Sequence, residues 1–63
     1  MTSASSPRDR LLDTASRLFY AEGIRTVPVD RLVTEADVTR ATFYRHFPSK
    51  EDLVVAYLRA TDA

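Results

Sequence analysis

The sequence predicts an all-α fold, four short helices in one small domain. Three observations carry that expectation. Apolar residues recur at the 3.6-residue period in successive short segments, a helix-start signal precedes each segment, and a glycine or proline closes the first and third.

Bulk properties narrow the function classes. Sixty-three residues allow one domain, and a core of this size rarely supplies more than about 3–5 kcal/mol without a disulfide, metal or partner. With no cysteine and one histidine, neither a thiolate nor an imidazole metal site is expected, and no cofactor. Lack of cysteine fits a reducing, cytoplasmic location. No apolar run approaches ~20 residues and no basic-then-apolar leader opens the chain, so no membrane insertion or export is expected. A single glycine excludes a Gly-rich phosphate loop. Net charge is zero and pI is near 6.5, which argues against indiscriminate nucleic-acid binding. Placement of charge still matters, because screening sets in beyond about 8 Å in cells. The acids stand at Asp9, Asp13, Glu22, Asp30, Glu35 and Asp37, then Glu51, Asp52 and Asp62, leaving the longest acid-free interval after Asp9 between Asp37 and Glu51.

Residues 1–6 are Ser/Thr/Ala-rich and aperiodic, and are expected to form a disordered arm. Ser6-Pro7-Arg8-Asp9 then reads as a helix start: a hydroxyl cap, a proline suited to the first helical position and an acid at the positive end. Leu11, Leu12, Ala15, Leu18 and Phe19 form one apolar stripe, with Asp13 and Arg17 an i,i+4 pair on the wet face. Gly23 is placed to end this helix, about residues 7–22, in a left-handed conformation. Ile24 to Val27 link onward, with Ile24 tucked under the core. Pro28 opens a second helix, about 28–36, whose apolar face is Val29, Leu32, Val33 and Ala36. Asp37 and Val38 break the pattern, and Thr39 caps a third helix, about 40–47. Pro48 ends it, since the residue before a proline disfavours helical geometry. Ser49-Lys50-Glu51-Asp52 is close to a capping box, with Asp for the usual Glu or Gln, and opens a fourth helix over 50–63. That helix is apolar most of the way round, as a helix bound on one face only should not be. It is therefore expected to lead into a further domain absent from this sequence.

Chemistry concentrates on the third helix. At about 100° per residue, Phe43 and Phe47 lie about 40° apart and define its buried side, while Ala41, Thr42 and Arg45 fall opposite. Tyr44 and His46 flank the exposed face, and Arg40 leans outward from the first turn. From Thr39 to Lys50 there are three full positive charges plus His46, and no acid. Such a helix suits a DNA major groove, about 12 Å wide, where Arg can contact guanine, Thr a base or a thymine methyl, and Ala permits close approach. Tyr44, Arg45, His46 and Lys50 suit phosphate oxygens, and the N-terminal ends of the third and fourth helices favour anions. Each feature has a plainer reading: Tyr44 as a half-buried packing residue, His46 as a surface histidine, the arginines as a solvated face. Their combination after a short helix, a tight turn and a cap favours DNA.

From Leu11 to Leu58 the chain resembles, without gaps, the N-terminal domain of TetR-type transcriptional regulators. The matching residues are Phe19 to Gly23, Leu32 to Thr39, and above all Thr42-Phe43-Tyr44-Arg45-His46-Phe47-Pro48-Ser49-Lys50-Glu51-Asp52-Leu53. The resemblance implies a homeodomain-like three-helix bundle in which helices two and three form a helix-turn-helix. It makes Arg40, Ala41, Thr42 and Tyr44 base-proximal, and Thr39, Tyr44, His46 and Lys50 backbone contacts, with Arg45 added from the helical wheel. The core expected beneath the reading helix is Leu18, Phe19, Leu32, Val38, Phe43, Phe47 and Leu53. It further implies a homodimer formed through a larger C-terminal domain, a small-molecule effector held there, a palindromic operator and repression until the effector arrives. Two positions depart from the family pattern. Asp37 stands where glycine is usual, in a turn that often needs positive φ. Asp30 stands where a basic or neutral residue is commoner, and an acid there faces phosphates badly, so the second helix is expected to add little affinity, with Arg25 and Thr26 as substitutes.

The leading expectation is thus sequence-specific double-stranded DNA binding as the reading head of a regulator. The alternative is a small protein-interaction module docking a partner on the apolar fourth helix, supported by the neutral charge and the Val54–Leu58 surface. No enzymatic role is expected, because so short a chain encloses no pocket.

Overall fold

The computed structural model describes residues 6–62, with side chains to residue 60; most of the expected N-terminal arm lies outside the described residues. Four helices follow in order: α1 Pro7–Glu22, α2 Val29–Ala36, α3 Arg40–His46 and α4 Lys50–Asp62. Each start has a local cause. The Ser6 hydroxyl accepts from the Asp9 N–H (3.1 Å), with Pro7 in the first helical position. Pro28 precedes α2 rather than beginning it, and its carbonyl accepts from Arg31 and Leu32 N–H. The Thr39 hydroxyl accepts from the Thr42 N–H (3.1 Å). The Ser49 hydroxyl accepts from the Asp52 N–H (3.3 Å) and donates to the Asp52 carboxylate (2.9 Å), so Asp closes the box through the hydroxyl.

The ends are equally specific. Gly23 has φ 94 and ψ 147, and its N–H donates to the Phe19 carbonyl. The positive φ is as expected, but the extended ψ puts it outside the left-handed helical basin, in a region open essentially to glycine. α2 ends on Asp37 at φ 61, ψ 46. The Asp37 N–H bonds to Thr34 O (3.2 Å) and the Val38 N–H to Val33 O (3.0 Å), the paired bonds of a Schellman stop. Phe47 is already extended at φ −135, ψ 105, as its position before Pro48 requires. α3 is therefore one residue shorter than the sequence suggested.

α1 packs against all three other helices, and α2 also packs against α3. The shared core is Leu11, Ala15, Leu18, Phe19, Val27, Leu32, Val33, Ala36, Phe43, Phe47 and Leu53. Phe43 is the largest side chain with no exposed surface. Removing such a ring costs about 3–5 kcal/mol, comparable to the whole stability of a domain this small. Three details differ from the sequence reading. Ile24 packs half-buried against the core as expected, but the fully buried linker residue is Val27. Val38 is half-buried at the edge of the core, as is Leu12. Arg17 pairs with Glu35 across to α2 (3.7 Å), and no ion pair to Asp13 forms among the described residues.

Candidate nucleic-acid interface

α3 is held from three sides. Phe43 and Phe47 point into the core with ring centroids 6.0 Å apart, and the Thr39 cap fixes the first turn. Arg10, on α1, fixes the approach: its Nε donates to Ala36 O (3.2 Å) and Nη2 to Asp37 O (3.3 Å), satisfying the last carbonyls of α2 and the turn. Sequence gave no signal for this latch, because donor and acceptors are 26 and 27 residues apart.

On the outer face, Arg40, Ala41, Tyr44 and Arg45 are exposed, while Thr42 and His46 are half-buried. Tyr44 stands edge-on to the Phe43 ring (4.9 Å, 76°), which orients its phenol rather than burying it. The Thr39 hydroxyl donates to the Thr42 hydroxyl (3.0 Å) while accepting the Thr42 N–H. A hydroxyl has a single proton to give, so in this arrangement Thr39 is committed internally and Thr42 keeps its own donor for an outside acceptor. Arg40 forms an ion pair with Asp30 on α2, a contact the sequence reading did not foresee. Lys50 turns inward: its Nζ donates to Ile24 O (2.6 Å) and lies 5.9 Å from the Phe19 ring centre. Arg8 covers the Phe47 ring at 5.4 Å, and with His46, Asp52 and Arg59 borders a shallow groove between α1 and α4.

Electrostatics divide the molecule. On one side Arg31 grips both oxygens of Glu22 (3.0 and 2.7 Å) and reaches Glu35 (3.3 Å), with Arg17 beside it. Hydrogen bonding from Arg31 holds the Glu22 carboxyl below its ordinary range, and these acids hold the Arg31 guanidinium above its own. Cations there are neutralised. Among the described residues, Arg8, Arg25, Arg45 and Arg59 enter no ion pair, and Arg45 stands on the outer face of α3.

A short helix, a left-handed turn and a second short helix capped by Thr39 and presenting hydroxyls and cations define a helix-turn-helix bundle. Comparison with known proteins agrees. The model of the bacterial regulatory proteins of the tetR family matches residues 11–57. The chain is 36% identical over 55 residues to the HTH-type transcriptional regulator TcmR of Streptomyces glaucescens, covering 87% of this chain and 24% of that protein. It is 34% identical over 55 residues to the regulator SrpR of Pseudomonas putida, covering 87% and 26%. It also resembles SCO4454, a TetR-family transcriptional regulator from Streptomyces coelicolor, at 60% identity and a TM-score of 0.84, over 90% of this chain and 28% of that one. The chain belongs to the TetR family. It spans about a quarter of the length of the curated relatives it matches, 24% and 26% for these two. No helix among the described residues is long and apolar enough to cross a membrane.

Proposed function

We propose that this chain reads double-stranded DNA by laying the outer face of α3 in the major groove. In this reading Arg40, Ala41, Thr42 and Tyr44 meet base edges, and Tyr44, Arg45 and His46 meet phosphates. Lys50 joins them in a changed role: one ammonium proton is spent on Ile24 O, leaving two for a phosphate at the α3–α4 junction. Thr39 serves as the cap that aims Thr42 rather than as a phosphate donor. The observation that carries the reading is the outward set of α3 side chains over a fully buried Phe43, next to cations left without ion pairs.

Size argues for a pair of heads. Seven residues at 1.5 Å rise make α3 about 10 Å long, enough to face about three base pairs. Three or four base pairs cannot single out one site among the 10⁶–10⁹ a genome offers. We therefore infer a homodimer on a palindromic operator with half-sites about one helical turn apart, acting as a cytoplasmic repressor released by a small-molecule effector held in a further domain. The relatives' greater length and their description as transcriptional regulators support this. Val55 and Leu58, about half exposed on α4, favour a second, compatible reading in which that face docks a protein segment.

Mobility-shift assays on a selected duplex and a scrambled one test the assignment. Arg40→Ala costs about 1–3 kcal/mol on the selected duplex and relaxes preference at one base pair; Arg45→Ala weakens both duplexes alike and lowers the salt slope by about 1. Equal, sequence-blind losses in the two variants would overturn the role given to Arg40.

A further inference from the structure

We propose that Asp30 is a specificity-determining residue that acts through Arg40, holding its guanidinium for a base edge and away from phosphates. The inference rests on α3 being the reading helix. Asp30 lies in the first turn of α2 and Arg40 in the first turn of α3, and the two side chains meet across the helix-turn-helix. A plainer account exists: an acid near a helix N-terminus is favoured by the helix dipole wherever it stands. That account explains an acid on α2 but not its pairing with Arg40.

Three features point beyond it. The pair is solvent-exposed, with 57% of the Arg40 and 77% of the Asp30 side chain accessible, and exposed ion pairs add little to stability. Its consequence is therefore where the guanidinium stands. Next, the other acid of α2, Glu35, is occupied by Arg31 and Arg17, so Asp30 is the one carboxylate paired with a residue of α3 among the described residues. Finally, the contact engages Nη1 of Arg40. A guanidinium presents five N–H donors in a rigid fork, so the edge formed by Nε and Nη2 is left for a two-point contact to guanine O6 and N7. A phosphate, in contrast, would compete with Asp30 for the same charge and be repelled by it. The carboxylate thus lowers the affinity of the head for any backbone while leaving the guanine contact intact.

The test uses the whole chain as wild type, Asp30→Asn, Arg40→Ala and the double variant. Each is selected against duplexes with a randomised core and titrated against one random-sequence duplex at several salt concentrations. Asp30→Asn is expected to bind the random duplex several-fold more tightly, to steepen the salt slope by about one phosphate's worth, and to lose several-fold discrimination at the base pair that Arg40→Ala also relaxes. In the Arg40→Ala background the discrimination change on adding Asp30→Asn is expected to vanish. Circular dichroism is expected to be unchanged by Asp30→Asn, which separates positioning from folding. If the wild type selects a site and Asp30→Asn selects it with the same discrimination, or if its loss persists without Arg40, the role of Asp30 is overturned and the reading head stands. If the wild type selects no sequence at all, both fall.

Discussion

Asp37 shows how one residue sets the angle between two helices. Its left-handed backbone, φ 61 and ψ 46, costs an L-residue roughly 1–2 kcal/mol, less for Asp, whose short polar side chain tolerates the conformation. The Val38 and Asp37 N–H groups close α2 only if that conformation is kept. Asp37→Gly is therefore expected to leave stability unchanged or raise it by up to about 1 kcal/mol, and Asp37→Val to lower it by about 1–2 kcal/mol. Urea melts followed by circular dichroism decide this; a Val variant as stable as the parent would contradict the turn assignment. A pattern break followed by Thr39 marks a turn in the sequence, while the need for positive φ is implied only by the family resemblance, in which glycine is usual at this position. The Arg10 latch and the Arg40–Asp30 pair could not be read there, since each joins positions brought together only by how the helices cross.

At the scale of elements, helix starts and the buried faces were the most legible part of the chain. Ser6, Thr39 and Ser49 cap as their hydroxyls suggest, because a cap is decided within three residues. Positions such as Val38 and Lys50 were less legible. Val38 sits at the rim of the core, and Lys50 finds a carbonyl 26 residues back. The ties between α1 and α2 carry their own test. The Glu22 carboxyl titrates lower in the folded chain than in the unfolded one because Arg31 donates to it. Its contribution is complete above the ordinary carboxyl value, about 4.3, and is lost as pH falls through the depressed folded value. Stability is expected to decline on that acid limb, shallowly because both groups are exposed, and Glu22→Gln to flatten it. Superimposable acid limbs for parent and variant would rule out this tie.

For the molecule as a whole, function follows from segregated rather than surplus charge. A chain of zero net charge ties Glu22 and Glu35 to Arg31 and Arg17 on one side, and among the described residues leaves Arg45 without an ion pair on the outer face of α3. The most direct measurement is a ¹⁵N-resolved titration of the chain with a short duplex at low salt. Perturbations are expected at residues 40–46, with smaller ones at Lys50, and are expected to fade steeply between about 50 and 200 mM salt. Perturbations confined to Val54, Val55 and Leu58, or insensitive to salt, would contradict a DNA-reading α3.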